Sequence, residues 1–230
     1  MRTTPTALMP GRKTIGIFGG TFDPIHLGHL RLALELKQRL ALDEMRLLPC
    51  HLPPHRALPQ VTSAQRVQML RLALQDCPDL QLDARELARD KPSYTYDTLC
   101  ELRAELGADV SLCLCMGADS FAGLTTWHRW RELMALAHLV VVARPGWELA
   151  SAEQAATSPA ARELQALVDA HRCESHVLTE RPAGGLVLLA PRLMPISATE
   201  IRALIAAGQS PQFLLPDAVW HFIQMQGWYR

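Results

Sequence analysis

The chain has 230 residues, room for one domain or one domain with a modest appendage, and 49% of them are apolar, enough to fill a core. Lys plus Arg and Asp plus Glu balance at 23 each, and a formal net charge of zero excludes a broad electrostatic footprint for nucleic acid while leaving room for a local anion pocket. No apolar run reaches the roughly 18 residues of a membrane span, and residues 1–12, with Arg2, Arg12 and little apolar length, do not form a secretory signal. A cytoplasmic protein is expected, with residues 1–12 as a flexible leader and 13–230 as a single domain.

An apolar run from Ile15 to Phe18 ends in Gly19-Gly20 and a turn marked by Asp23-Pro24, and an amphipathic stretch follows from Leu27 to Leu40. The pattern reads as strand, glycine-rich loop and helix. The loop Gly19-Gly20-Thr21-Phe22 would expose backbone N–H groups to a ligand, and the helix start adds a positive dipole end, which favours phosphate. His26 and His29 fall at that helix start. Positions three apart share a helix face, so both imidazoles can point at the same anion. A zinc role for the pair would need a third ligand, and none is evident at metal-binding spacing, so no protein-held metal is expected.

Glu44 to Cys50 reads as a short strand leading into a Pro- and His-rich loop, His51 to Gln60. Within it Pro53-Pro54 stiffens the chain, and His55 and Arg56 project two adjacent cationic or hydrogen-bonding groups. Thr62 or Ser63 can cap a helix to about Gln75. Asp76 to Asp79 ends it, Leu80 to Asp83 is a weak strand, and residues 84–92 are charged and loop-like. Ser93 can cap a further helix, through about Leu106, that Gly107 stops. Asp109 to Met116 is a strong strand with Gly117-Ala118-Asp119-Ser120 at its end. A carboxylate there can accept from ribose hydroxyls or cap a helix.

A short helical patch holds Trp127 and Trp130, and the apolar strand Ala137 to Ala143 is broken by Arg144-Pro145-Gly146. Residues 151–170 are Ala-rich and helical in propensity. Leu186 to Ala190 is another strand. Ser197 and Thr199 can cap a helix that Gly208 stops, and a last helix follows Pro216. Strands alternating with helices, several of them continuously apolar, predict a Rossmann-like α/β fold: a mostly parallel sheet with helices on both faces. Ligands in such folds bind outside the carboxyl ends of the strands. The unusual loops follow Phe18, Leu48, Met116, Val142 and Leu189, all strand ends, so they converge on one shared site. Six cysteines, Cys50, Cys77, Cys100, Cys113, Cys115 and Cys173, form no C-x-x-C pair and read as small buried hydrophobes in a reducing compartment, Cys113 and Cys115 sharing one strand face.

The stretch Gly-Gly-Thr-Phe-Asp-Pro-Ile-His-Leu-Gly-His, residues 19–29, resembles the nucleotidyltransferase superfamily with its H-x-G-H signature, and Ile196-Ser197-Ala198-Thr199-Glu200-Ile201-Arg202 resembles that superfamily's second signature. The longer match is similar to the bacterial nicotinate-nucleotide adenylyltransferases, with phosphopantetheine adenylyltransferase as a close cousin. Pro53-Pro54-His55-Arg56 and Ser93-Tyr94-Thr95 favour the former. The match runs from about residue 15 to the C-terminus and departs from the family pattern in the Ala-rich segment around residues 151–182.

The resemblance implies that His26 and His29 are catalytic donors to the phosphates. It implies that Gly19, Gly20, Thr21, Phe22, His55, Arg56, Ser197, Thr199 and Arg202 bind ATP. Tyr94, Thr95, Asp119, Trp127 and Arg144 would bind nicotinate mononucleotide, with Trp127 stacked on the pyridine ring. The implied reaction moves the adenylyl group of ATP to nicotinate mononucleotide, giving nicotinate adenine dinucleotide and pyrophosphate in NAD biosynthesis. Mg2+ would arrive with ATP, on phosphate oxygens and water. Neither nucleic acid nor membrane is an expected partner, and an oligomer is possible. Two other readings stay open: another adenylyl transfer, and a non-catalytic nucleotide sensor on the same fold.

Overall fold

The computed structural model describes residues 12–51, 59–89, 92–143 and 158–230. Its frame is six strands: β1 (Thr14–Gly20), β2 (Glu44–Pro49), β3 (Gln81–Leu82), β4 (Ser111–Gly117), β5 (His138–Val142) and β6 (Leu186–Leu189). They form one sheet in the order β3-β2-β1-β4-β5-β6, and every pairing is parallel. The order reverses between β1 and β4, and the crevice at such a reversal is where open parallel sheets take ligands.

Period-two alternation divides the core into two layers. Ile15 and Ile17 of β1, Leu112, Leu114 and Met116 of β4, and Leu139 and Val141 of β5 face one layer. Phe18, Cys113, Cys115, Val140 and Val142 face the other. The first is covered by α3 (Thr95–Leu106), α4 (Ala118–Ala122), α5 (Leu133–Leu136) and α6 (Pro159–His171). The second is covered by α1 (Leu27–Arg39), α2 (Ser63–Leu74), α7 (Val177–Glu180), α8 (Ala198–Ala206) and α9 (Asp217–Gln226). Cys113 and Cys115 thus share a face, where burial pushes the Cys113 thiol up to about 12 and that of Cys115 well above its usual range.

Local chemistry sets several helix starts. The Thr62 hydroxyl accepts from the Gln65 N–H while the Gln65 side chain accepts from the Thr62 N–H, a reciprocal cap for α2. Ser158 caps α6 with Pro159 at its first position. Three expectations are corrected. Ser93 does not cap α3: the helix starts after Tyr94 without a side-chain cap, because the Ser93 hydroxyl accepts from the His51 N–H at 2.9 Å. Residues 85–88 are a 3-10 turn rather than a loop, folded back where the Asp83 carboxylate takes both the backbone N–H and the guanidinium of Arg85. Trp127 and Trp130 lie on no common helix. Two 3-10 turns, Leu124–Thr126 and Trp130–Glu132, are separated at Arg129, which sits in the left-handed region at φ 53°.

Candidate active site

The carboxyl end of β1 turns sharply into α1. A Cβ at Gly20 would lie 2.8 Å from the Phe22 ring, so glycine is what lets the chain fold over that ring. Phe22 itself adopts a positive φ of 51° and buries its ring against Phe18 and His29, at centroid distances of 6.1 and 5.1 Å. Its side chain is therefore in the core, and its backbone is what can face a nucleotide. The turn then carries Asp23, Pro24 and Ile25 inside.

His26 is the residue before α1 rather than a helical neighbour of His29. Its Nδ1 accepts from the His29 N–H at 3.4 Å, and its ring stacks on the His29 ring at a centroid distance of 3.6 Å. Burial lowers the His26 pKa to about 4, so the imidazole is neutral at pH 7. With Nδ1 accepting, the single ring proton is on Nε2, and His26 is a neutral donor. A Cβ at Gly28 would lie 3.1 Å from the His26 ring and 3.5 Å from Ile196 Cβ, so this glycine sets how closely the second conspicuous motif approaches the first.

At that second motif Ser197 caps α8, its hydroxyl accepting from the Glu200 N–H at 3.1 Å. The N-terminal ends of α1 and α8 therefore adjoin, and each presents backbone N–H groups suited to anions. Thr199 lies inside the first turn, not at the cap, and its hydroxyl accepts from Arg202 Nη2 at 3.3 Å. Arg202 Nη1 donates to the Asp23 carbonyl at 2.6 Å, so part of this guanidinium is committed to the β1–α1 turn.

Beside this pair of helix ends, at the β1/β4 reversal, lies a cleft of about 330 Å³. Gly19, Gly20 and Thr21 line one wall, Tyr94, Thr95 and Thr98 another, and Gly117, Asp119, Trp127 and His128 close it. Asp119 is the second residue of α4, whose cap position is Gly117, so its carboxylate does not cap that helix. Trp127 is half-buried against the first core layer. Tyr94 packs on His128 with ring centroids 4.6 Å apart. The structure thus gathers Gly19, Gly20, Thr21, Tyr94, Thr95, Asp119 and Trp127 around the cleft, and His26, His29, Ser197, Thr199 and Arg202 at the adjoining helix ends. His55, Arg56 and Arg144 lie outside the described residues.

Two residues escaped the sequence reading. Arg66 of α2 is 0% exposed, donates to the carbonyls of Thr21 at 2.6 Å and Cys50 at 2.7 Å, and so ties the loops after β1 and β2 together. A charged residue among Val67, Met69 and Leu70 on the buried face of a helix was the available signal. Glu86 is also buried. It accepts from the Thr98 hydroxyl at 2.7 Å and lines the cleft, but its stretch reads as a charged loop, so nothing in the sequence marked it.

Among the described residues no group of three or more His, Cys, Asp or Glu side chains is placed to hold a metal ion. Both Asp23 carboxylate oxygens already accept, one from the Tyr229 hydroxyl and one from the Gln60 N–H. Among the same residues no helix is long and apolar enough to cross a membrane.

Residues 17–204 match the family model described as cytidylyltransferase-like. A relative from Cellvibrio japonicus named "Probable nicotinate-nucleotide adenylyltransferase" is 60% identical over 219 residues, covering 95% of this chain and 100% of that one. One of the same name from Aeromonas hydrophila is 49% identical over 220 residues, covering 95% and 98%. Among solved structures, the Plasmodium falciparum nicotinic acid mononucleotide adenylyltransferase complexed with NaAD superimposes with a TM-score of 0.67 at 17% identity, over 95% of this chain and 98% of that one, a likeness of fold.

Proposed function

The chain belongs to the cytidylyltransferase-like family and, within it, to the nicotinate-nucleotide adenylyltransferases, and from that premise we propose how its residues carry the reaction. The enzyme transfers the adenylyl group of ATP to nicotinate mononucleotide, giving nicotinate adenine dinucleotide and pyrophosphate. The observation that carries the residue assignment is the adjacency of two helix N-termini, at His26 and Ser197, to a cleft walled by Tyr94, Thr95 and Trp127. Gly19, Gly20, Thr21, the backbone of Phe22, Ser197, Thr199 and Arg202 take the triphosphate side. Tyr94, Thr95, Asp119 and Trp127 take the mononucleotide. The backbone N–H groups at the start of α3 suit the nicotinate carboxylate, and an amide would gain less from that dipole.

A phosphate oxygen of the mononucleotide attacks the α-phosphorus in line. The new P–O bond forms as the bond to the β-phosphate oxygen breaks, and that electron pair leaves with pyrophosphate. The nucleophile is already anionic, so no general base is needed. The protein's part is positioning and stabilisation of charge as it moves onto the leaving group. His26 and His29 are the donors for that charge. His26 donates from Nε2 as a neutral imidazole, so no proton transfer is required of it. Mg2+ would come with ATP, held by phosphate oxygens and water rather than by a cage of protein ligands. That ion would screen the triphosphate while the side chains orient it.

Pyrophosphate release tests the proposal, with ATP and Mg2+ present and nicotinate mononucleotide, nicotinamide mononucleotide and phosphopantetheine offered in parallel. Release with the first alone is expected, and its loss on chelation supports the ion. Release with phosphopantetheine would overturn the assignment of Tyr94, Thr95 and Trp127. Silence with all three would turn the chain into a nucleotide-binding sensor.

A further inference from the structure

The penultimate residue is threaded back into the centre of the fold. After α9 the chain turns at Gly227, and Tyr229, at a positive φ of 66°, enters the second core layer at 8% exposure. Its hydroxyl donates to Asp23 Oδ1 at 2.7 Å, across 206 residues of sequence. Asp23 is itself 6% exposed, and its other carboxylate oxygen accepts from the Gln60 N–H at 3.0 Å. Its carbonyl takes Arg202 Nη1 at 2.6 Å, while the same nitrogen lies 3.9 Å from Oδ2. Four segments therefore meet at Asp23: the β1–α1 turn, the approach to α2, α8 and the C-terminus.

The balance at Asp23 decides where Arg202 goes. With both oxygens occupied, the carboxylate leaves Arg202 bridged between the Asp23 carbonyl and the Thr199 hydroxyl, the geometry that holds α8 against the turn carrying His26. Without the Tyr229 hydroxyl, Oδ1 is a buried charged acceptor short of a partner, and Arg202, whose Nη1 already lies 3.9 Å from Oδ2, is a cation it can draw. Burial and the neighbouring carboxylate both push the Tyr229 hydroxyl above its ordinary range, so it stays a donor across the working pH range.

We infer that Tyr229 is a positioning residue for adenylyl transfer: by occupying Asp23 Oδ1 it fixes the turn that carries His26 and His29 and keeps Arg202 on α8. It touches no reacting atom. The role rests on the proposed reaction. It separates from a merely structural one because Tyr229 packs in the second core layer while Trp127, assigned to the mononucleotide, packs against the first.

The test is steady-state kinetics on the full chain carrying Tyr229→Phe, which keeps the ring and removes one oxygen, and on Asp23→Asn, which keeps the shape and removes the charge. Both are expected to lower kcat about tenfold or more with the KM for nicotinate mononucleotide unchanged, and the double variant to be no worse than the poorer single one, since both act on the same link: the asparagine amide has one neutral oxygen for the two donors that Asp23 serves. Circular dichroism and the thermal midpoint report folding separately. Should Tyr229→Phe fail to fold, the kinetic split in Asp23→Asn answers alone. An unchanged kcat in the folded variants overturns the role, as does an equal rise in both substrates' KM or additive losses in the double variant. A silent wild type overturns the reaction, and this role with it; an active wild type with an indifferent Tyr229→Phe overturns the role alone.

Discussion

Replacing Arg66 with Met removes a cation that joins the loops after β1 and β2 from a position with no exposure to solvent. The guanidinium donates to the carbonyls of Thr21 at 2.6 Å, Cys50 at 2.7 Å and His51 at 3.2 Å, and to the Ser63 hydroxyl at 2.9 Å. The His51 carbonyl keeps a second donor, the Ser63 hydroxyl at 3.1 Å, so the loss is reckoned at the Thr21 carbonyl. An acceptor stripped of its partner in such a site costs about 1–3 kcal/mol. Burying the guanidinium carries its own desolvation penalty, the main reason its pKa is lowered, and the Met variant escapes it. A net loss of roughly 1–2 kcal/mol is expected from these terms. Urea unfolding followed by circular dichroism measures it, with an unchanged slope showing that the same surface is exposed. Arg66→Lys, one point charge without a planar fork, should fall between. A Met variant within about 0.5 kcal/mol of wild type, inside the range of ordinary surface changes, would refute the reasoning and mean that the two loops hold their shape unaided.

Three further outcomes follow from the site geometry. Between about pH 6.5 and about 4 the unfolded chain binds a proton at His26 and the folded chain does not, so stability falls as pH falls through that window and levels off below it. The window is worth roughly 3 kcal/mol. His138, also lowered by burial, adds a slope of the same sign, so the comparison is with His26→Asn, which should flatten the curve in part; an identical slope would show that His26 is charged in the folded state. Gly28→Ala should gain up to about 1 kcal/mol in helix propensity while pressing its Cβ to 3.1 Å from the His26 ring, so a stable enzyme about tenfold slower is expected, and full turnover would say the ring position is not critical. Trp127→Ala should raise the KM for nicotinate mononucleotide by about tenfold, consistent with roughly 0.5–1.5 kcal/mol of ring packing beyond burial; loss of ATP affinity instead would place the pyridine in the other half of the site.

The sheet was legible because its strands are continuous apolar runs, and in a parallel sheet covered on both faces nothing else is required of them. The alternation of Leu112, Leu114 and Met116 with Cys113 and Cys115 even assigned faces correctly. Ser197 was legible as a cap because capping is chemistry within four residues. Ser93 looked the same and was not, since its hydroxyl was taken by a backbone N–H 42 residues away. The 3-10 turn at Arg85 depends on an ion pair with Asp83 that composition shows only as charge. Tyr229 and Asp23 are separated by almost the whole chain, and no periodicity links a C-terminal aromatic to a turn near the start. What the sequence carried was local pattern; what it withheld was which long-range partner wins a given polar atom.

That distinction bears on what the first motif does. Two histidines at a helix start suggest cations, and an imidazolium would attract triphosphate as strongly before the reaction as during it, tightening binding without speeding the chemical step. Burial instead leaves His26 neutral, with Nδ1 accepting from the His29 N–H and the proton on Nε2. A neutral donor adds little to the ground state and more as charge gathers on the leaving oxygen, so on the proposed reading its contribution belongs to turnover. His26→Asn isolates this, since asparagine caps a helix well and carries no imidazole. The expected result is a fall in kcat of about a hundredfold, the size seen when one preorganised donor is removed, with the KM for ATP within about threefold. A KM for ATP that rises with kcat intact would mean that His26 binds substrate as a cation, and that the folded protein does not hold it neutral.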